Sequence, residues 1–237
     1  MQKNLLLLSN STNPGEPYLG WPQAHLAKHF ENVNEVLFIP FAGFALGCDN
    51  YEKAVKDAFE KFNKKVISIH RFDDPIKAIE NCEAIAVGGG NTFYLFNELH
   101  QQKLIEPIRK KVNSGVPYAG WSAGSNTACP TLRTTNDMPI VEPPSFEGLH
   151  LIPFQINPHY TNKTIEGHGG ESRDQRLKEF MAANQKMYVV GLPESSFLKV
   201  EKNSCVYIGN SPAKLFLYNE PIQDIEPNND LSFLLNA

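Results

Sequence analysis

A serine lies between two closely spaced glycines in the segment Gly120-Trp121-Ser122-Ala123-Gly124. This G-x-S-x-G spacing is typical of a nucleophile elbow, in which a serine occupies a tight turn between a strand and a helix. The glycines are needed because a Cβ at either position would clash with the neighbouring strand or helix. A strand-like segment precedes the motif, and small residues able to begin a helix follow it. The pattern predicts a nucleophilic Ser122; a glycine-rich turn with an incidental serine is the alternative.

A serine hydroxyl is a weak nucleophile at neutral pH and needs a base, usually a histidine. His159, in Asn157-Pro158-His159, follows an apolar segment and a rigid X-Pro corner. If that apolar segment is a strand, the imidazole lies just after its end, at the carboxyl edge of a sheet. The other histidines lie on predicted helices, at a strand end or in loops: His25, His29, His70, His100, His150 and His168. We predict His159 as the base; a structural loop histidine is the alternative.

Two acids are candidates for orienting the imidazole and stabilising its protonated form. Glu194, in Gly191-Leu192-Pro193-Glu194, follows a predicted strand, so we expect it at the same carboxyl edge as Ser122. Asp137 lies shortly after the elbow and would give the chain order Ser–Asp–His common in α/β hydrolases. The residues themselves leave this choice open.

An oxyanion hole needs two backbone N–H donors. The amide of Ala123 is one candidate, and the loop Gly88-Gly89-Gly90-Asn91-Thr92 can supply the other, since glycine lets the backbone approach a ligand closely. We predict Gly89, Gly90 and Ala123 in this role and Asn91 as a substrate contact. Phosphate binding at a helix N-terminus is the competing interpretation, but the loop has neither G-x-G-x-x-G nor Gly-Lys-Ser/Thr.

These residues need a scaffold, and the first half of the chain alternates apolar β segments with helical ones. We predict strands at residues 4–9, 36–40, 66–70, 84–87, 118–120 and 187–192, and helices at 17–30, 49–64, 75–80, 92–99, 102–113 and 170–183. This order favours an α/β fold with a doubly wound, mostly parallel sheet and flanking helices. Turns at Lys202-Asn203 and Gly209-Asn210 predict antiparallel edge hairpins at the C-terminal end. We expect one α/β domain over residues 1–237.

Composition excludes several classes of protein. The 237 residues carry a net charge of −4 and are 41% hydrophobic, which is ordinary for a globular chain and disfavours a dedicated nucleic-acid binder or a membrane-surface protein. The first apolar run, Leu5 to Leu8, is shorter than the roughly 7–15 residues of a signal peptide. Four scattered cysteines predict reduced thiols in a cytoplasmic protein. No motif indicates a metal or another cofactor.

Several segments together resemble the peptidase E family, the α-aspartyl dipeptidases. They run in family order over about the first 200 residues, and those at 133–141 and 157–159 are the specific ones. The matching stretches are residues 5–11, 38–43, 87–93, 120–124, 133–141, 155–159 and 191–194. Ser125 departs from the small apolar residue expected after the elbow.

The resemblance implies a fold similar to class I glutamine amidotransferases, with Ser122 as nucleophile and His159 as base. In that family the relay acid has been placed at the position of Asp137 or at that of Glu194. We favour Glu194, because it lies at a strand's carboxyl end, and keep Asp137 as a site residue. The resemblance also implies a cytoplasmic enzyme without metal, a small Asp-X peptide as substrate, and a possible homodimer.

An N-terminal aspartate brings a carboxylate and an ammonium into one small site. Arginine suits the carboxylate because its planar fork binds it through two hydrogen bonds. We predict that Arg173 meets the carboxylate and Glu171 the ammonium; Arg71 and Arg133 are the alternatives to Arg173. Two other functions stay open: a hydrolase of the same fold acting on isopeptide or side-chain amide bonds, and a non-catalytic flavodoxin-like binding module.

Overall fold

Eleven strands and seven α-helices form the described part of the chain, which in this computed structural model is residues 3–163, 167 and 169–236. The strands are β1 (Asn4–Leu8), β2 (Glu35–Ile39), β3 (Lys65–Ser68), β4 (Ile85–Val87), β5 (Tyr118–Trp121), β6 (Gln155–Asn157), β7 (Val189–Gly191), β8 (Phe197–Glu201), β9 (Ser204–Ile208), β10 (Ala213–Phe216) and β11 (Gln223–Ile225). The helices are α1 (Gln23–His29), α2 (Cys48–Phe59), α3 (Pro75–Asn81), α4 (Thr92–Gln101), α5 (Ile105–Asn113), α6 (Ala123–Thr127) and α7 (Arg173–Ala183). None of these helices is long and apolar enough to cross a membrane.

The larger sheet has seven strands in the order β3-β2-β4-β5-β1-β8-β9. Its first five strands are parallel, and β8 and β9 extend it as an antiparallel hairpin against β1. The doubly wound, mostly parallel sheet and the antiparallel hairpins at the C-terminal end are therefore confirmed. The carboxyl ends of β1, β4 and β5 lie side by side, because these strands are neighbours in the sheet.

Alternate residues of the central strands enter two hydrophobic clusters, one on each face of this sheet. In β1, Leu5 and Leu7 belong to one cluster, while Leu6 and Leu8 belong to the other. All four are at most 2% exposed. Burying a leucine side chain contributes about 1.5–3 kcal/mol, so this strand anchors the sheet strongly. A strand apolar on both faces is typical of a parallel sheet covered by helices on both sides.

A second sheet has four strands in the order β11-β10-β7-β6, and β6 and β7 pair in parallel. One of its faces, including Ile156 and Val190, shares the first hydrophobic cluster of the larger sheet. The other face packs on α7, where Tyr160, Leu177 and Phe216 form a smaller cluster. We expected Glu194 at the same edge of one sheet as Ser122. That detail is wrong, because the strand before Glu194 belongs to this second sheet.

Three helices begin later or earlier than predicted, for local reasons that differ from helix to helix. The segment predicted as a helix at 17–30 forms turns up to Pro22, with Leu19 at a φ of 53°, and α1 begins only at Gln23. The N-cap of α2 is Gly47 rather than Asp49. Helix α7 begins at Arg173 instead of residue 170, because Ser172 and Gln175 form a capping box there.

Candidate active site

Ser122 occupies a sharp turn between β5 and α6, with φ 53° and ψ −112°. A Cβ on Gly120 would lie 2.4 Å from the carbonyl oxygen of Gly124, and one on Gly124 would lie 2.1 Å from that of Val87. A real Cβ does not come this close to a backbone oxygen, so the turn requires glycine at both positions. The spacing of the motif is thus a consequence of close packing between this turn and strand β4.

Buried hydrogen bonds hold the turn against β1. The backbone N–H of Ser122 donates to the carbonyl of Leu8 at 3.0 Å. The hydroxyl of Ser125 lies 2.6 Å from the Leu8 carbonyl oxygen and 2.8 Å from that of Gly120. The buried hydroxyl of Ser125, the one departure from the expected pattern, therefore has carbonyl acceptors on both β1 and β5.

The imidazole of His159 lies between a hydroxyl and a carboxylate. Its Nε2 is 3.0 Å from Ser122 Oγ, and its Nδ1 is 2.9 Å from Glu194 Oε1. Because an ionised carboxylate only accepts hydrogen bonds, Nδ1 carries the proton and Nε2 is free to accept from the serine. This is the geometry that general-base activation of a serine requires.

The parallel pairing of β6 and β7 explains why His159 and Glu194 meet. Asn157 stands opposite Gly191 in the register, so the chain leaves both strands at the same level. His159 then turns with a φ of 53°, and Glu194 follows three residues after its own strand. Both side chains are about half exposed, at 41% and 52%.

Ser9 connects the two sheets at this point, and our sequence analysis did not single it out. Its hydroxyl donates to the carbonyl of Leu192 at 2.8 Å and accepts from the backbone N–H of His159 at 2.9 Å. Ser9 directly follows β1 and is fully buried. The only sequence feature that could have pointed to Ser9 was its place at the end of a predicted strand. Its hydroxyl's partners lie more than 140 residues away in the chain.

Asp137 has a different set of partners. Its Oδ2 accepts from the backbone N–H and the hydroxyl of Thr92, at 2.7 and 2.5 Å, and from the hydroxyl of Thr135 at 3.0 Å. These bonds tie the loop after the elbow to the first turn of α4. The carboxylate lies in the wall of the same cavity as Ser122.

Three backbone amides are available as oxyanion donors. Ala123 is the first residue of α6, so its N–H has no partner within the helix. Gly89 packs directly against the elbow, since a Cβ there would lie 3.0 Å from Ser122 Cβ. Within the described part of the chain, the N–H groups of Gly89 and Gly90 have no backbone acceptor.

A cavity of about 720 Å³ opens beside the serine. Among its described lining residues, Arg173 supplies the guanidinium and Asp137 the carboxylate. Arg173 donates to Asn157 Oδ1 at 3.4 Å, and partial burial, reinforced by the charge of Arg176, lowers its pKa. A carboxylate bound there would relieve this unfavourable desolvation. Asn91 also lines the cavity, while its side chain caps α4 and donates to the carbonyl of Met138 at 2.8 Å.

The other charged residues considered from the sequence lie elsewhere. Glu171 is exposed, 4.0 Å from Arg176, and neither it nor Arg133 is among the described residues lining the cavity. Arg71 pairs with Glu52 at 2.9 Å and also with Asp49. His168 lies outside the described residues.

Asp49, Glu52 and His70 come close enough together to hold a metal ion. Their spacing in the sequence gave no sign of this. The guanidinium of Arg71 bonds both carboxylates, which accounts for the cluster as an ion-pair network.

A serine on such an elbow, hydrogen-bonded to an imidazole at the edge of an α/β sheet, is the arrangement of hydrolases that act through an acyl-enzyme. Residues 5–208 match the model of peptidase family S51. The chain belongs to this family and is a peptidase.

Named relatives agree with this assignment, and two solved structures share the fold. The chain is 50% identical to Peptidase E of Nostoc sp., covering 99% of this chain and 98% of that one. It is 43% identical to Peptidase E of Shigella sonnei, covering 94% and 97%. A putative peptidase E from Listeria monocytogenes has a similar fold, with a TM-score of 0.67, 23% identity and coverage of 89% and 100%. A peptidase from an acI-B1 actinobacterium gives a TM-score of 0.70 at 18% identity, covering 98% of each chain.

Proposed function

We propose that this peptidase is a serine-type dipeptidase that hydrolyses dipeptides with an N-terminal aspartate. One observation carries the proposal: the cavity beside Ser122 presents one guanidinium, Arg173, and one carboxylate, Asp137, among its described lining residues. An N-terminal aspartate has the complementary pair, a β-carboxylate and an α-ammonium. Charges taken from water into a cleft must be paired, so this cavity favours a substrate with both.

The proposed reaction passes through an acyl-enzyme. Ser122 Oγ attacks the carbonyl carbon of the aspartyl residue while His159 Nε2 takes the hydroxyl proton, and the negative charge that develops on the oxygen is stabilised by the amides of Ala123 and the glycine loop. His159 then protonates the leaving amine as the C–N bond breaks. Water, deprotonated by His159, next attacks the ester, and His159 returns the proton to Ser122 Oγ as the ester bond breaks and aspartate leaves. Glu194 accepts from Nδ1 throughout and stabilises the imidazolium.

In this proposal Arg173 binds the β-carboxylate and Asp137 the ammonium. Asp137 takes the place that we first gave to Glu171, because Asp137 lies in the cavity wall. Asn91 shapes the same wall through its bonds to α4 and Met138.

An isopeptide or side-chain amide hydrolase would use the same serine and histidine. The two functions differ in where the ammonium and the carboxylate stand relative to the scissile bond. Steady-state hydrolysis of Asp-Leu, Asn-Leu, Glu-Leu, Ala-Leu and β-aspartyl-leucine by the purified protein separates them. We expect Asp-Leu to have the highest kcat/KM; a higher value for the β-aspartyl peptide would favour the isopeptidase.

Arg173→Met tests the carboxylate site, and Arg176→Met is its matched control, since Arg176 is exposed one turn along the same helix. Losing a charged pair costs roughly 2–4 kcal/mol, so kcat/KM for Asp-Leu should fall by a factor of about 30 to 1,000 in Arg173→Met. Hydrolysis of Ala-Leu should be spared. Equal losses on both substrates would show that Arg173 has only a structural role.

We also propose that the protein works in the cytoplasm. Its four cysteines are all unpaired, and Cys129 and Cys205 are buried thiols. Unpaired cysteines in a chain of this size are typical of a reducing compartment.

A further inference from the structure

The hydroxyl of Tyr51, on α2, lies between the two halves of the oxyanion site. It is 2.9 Å from the carbonyl oxygen of Gly89, 3.0 Å from Trp121 Nε1 and 3.3 Å from the hydroxyl of Tyr18. Trp121 directly precedes the nucleophile, and Gly89 lies in the loop after β4. The hydroxyl of Tyr51 thus connects the strand that carries the serine with the glycine loop.

The direction of each of these hydrogen bonds follows from the groups involved. A carbonyl oxygen only accepts and an indole N–H only donates, so Tyr51 donates to Gly89 and accepts from Trp121. Its one proton is then used, and Tyr18 must donate to it. All three positions of the hydroxyl are occupied, and burial raises the pKa of Tyr51, which keeps the donor protonated.

The surrounding glycines make room for this side chain. A Cβ on Gly88 would lie 2.6 Å from Tyr51 Oη, and one on Gly43 would lie 2.3 Å from Tyr51 Cδ1. The two loops at the edge of the sheet therefore close around the tyrosine ring, which is only 5% exposed.

Fixing the Gly89 carbonyl fixes the amide that follows it. In a trans peptide the C=O and the next N–H point in opposite directions, and the unit is planar. With the Gly89 oxygen held by Tyr51, the Gly90 N–H must point away from Tyr51. Glycine backbone is otherwise free to rotate, so a loop of three glycines needs such an anchor.

We infer that Tyr51 is a positioning residue for the oxyanion hole, acting through the Gly89–Gly90 peptide. Tyr51 also lines the cavity, but in this role it acts on that peptide and not directly on the reacting atoms. The inference rests on the proposed serine mechanism but is independent of the aspartate specificity.

Such a residue affects the transition state more than substrate binding. Removing one oxyanion donor outright lowers kcat by about 10²–10³. Loosening a donor that is still present should cost less, about 10- to 100-fold, with KM changed less than threefold.

The test compares Tyr51→Phe with Tyr207→Phe. Tyr207 is a matched control because its buried hydroxyl also donates to a loop carbonyl, that of Ser211 at 2.6 Å, but it lies on β9 outside the cavity lining. The measured quantity is the second-order rate constant for labelling of Ser122 by a fluorophosphonate, whose oxygen develops charge as the substrate carbonyl does. The labelling endpoint counts folded active sites, so a partly unfolded variant is still evaluated per folded molecule.

We expect Tyr51→Phe to label at least 10-fold more slowly than the wild type, with kcat for the best dipeptide reduced by a similar factor. Tyr207→Phe should label within threefold of the wild type. A rate for Tyr51→Phe within threefold of the wild type, or an equal loss in Tyr207→Phe, would overturn the inference. Labelling of the wild type without hydrolysis of Asp-Leu would contradict only the aspartate specificity, whereas absence of wild-type labelling would contradict the serine mechanism itself.

Discussion

At the scale of single residues, Ser122 and His159 share an unusual backbone. Each has a φ of 53°, a region that costs a non-glycine residue about 1–3 kcal/mol and is common at functional sites. Here it turns both side chains out of their strand directions and towards each other. The backbone N–H of Ser122 donates to the carbonyl of Leu8, and that of His159 donates to the hydroxyl of Ser9, and these bonds hold the two conformations in place.

Ser122→Ala should leave the fold intact and remove almost all turnover. The substitution deletes only the hydroxyl, whose side-chain partner is the half-exposed imidazole of His159, so the unfolding free energy should change little. Without the nucleophile, a triad enzyme keeps only a residual acceleration of about 10³–10⁴ over water. Steady-state kinetics and thermal unfolding measure the two effects, and more than about a tenth of wild-type kcat would be incompatible with a serine nucleophile.

Glu194→Gln and Asp137→Asn should change different kinetic constants. Glu194 bonds His159, so its neutral variant should lower kcat by about 10²-fold or more with little change in KM, since the imidazolium forms in the transition state. Asp137→Asn retains an oxygen for the Thr92 N–H but loses the charge, so it should mainly raise KM for Asp-Leu. The opposite pattern in the two variants would make Asp137 the relay acid.

At the scale of elements, Ser9 joins the second sheet to the first. Its hydroxyl joins the end of β1 to the residues that follow β6 and β7. Because β1 lies inside the larger sheet, this contact fixes the imidazole of His159 relative to a well-anchored strand.

Ser9→Ala should therefore reduce both stability and activity. It leaves the N–H of His159 without its acceptor, while the carbonyl of Leu192 keeps the N–H of Tyr160 as a donor. The unpaired N–H should cost about 1–3 kcal/mol in the free energy of unfolding. Activity should fall about 10-fold because the imidazole is less well placed. Urea unfolding and kcat measure these effects, with Ser114→Ala, an exposed serine bonded to Lys111, as control. Wild-type kcat in Ser9→Ala would show that the imidazole is placed by other contacts.

At the scale of the whole molecule, acid should weaken the fold through His29. This histidine of α1 lies 3.0 Å from the carbonyl oxygen of Tyr118, so its Nε2 carries a proton. Burial lowers its pKa from 6.5 to about 4. The unfolded chain thus binds more protons than the folded one between these values, and stability is full above pH 6.5 and is lost as the pH falls towards 4.

His29→Gln keeps a donor for Tyr118 but cannot be protonated. Between pH 7 and 4.5 the wild type should lose about 2–3 kcal/mol more unfolding free energy than this variant, since one pKa unit corresponds to about 1.4 kcal/mol. Urea titrations at both pH values measure the difference. Equal losses in the two proteins would assign the acid sensitivity to other groups.

Much of the fold was determined by local sequence. Apolar residues in the short β segments, such as Leu5–Leu8, and the helical spacing between them predicted the alternation of strands and helices and hence the parallel sheet. The errors in predicted helix boundaries also have local causes. The helix predicted at 17–30 begins only at Gln23, because prolines and Gly20 interrupt its first part. The glycines around Ser122 marked the elbow in the sequence. Gly120 is required by the carbonyl of Gly124 in the same turn, whereas Gly124 is required by the carbonyl of Val87 on β4.

The arrangement around the elbow was decided by tertiary structure. The residues alone left the choice between Asp137 and Glu194 open, although Glu194 was favoured for its place at a strand's carboxyl end. The parallel register of β6 and β7 brings Glu194 rather than Asp137 to His159. Likewise, three arginines were candidates for one role, and only packing of α7 on the second sheet puts Arg173 in the cavity wall. Ser9 and Tyr51 were not recognised from the sequence, since their side-chain partners lie between 33 and 183 residues away. Such contacts depend on strand order and register, which arise from the summed burial of the whole core rather than from any local pattern.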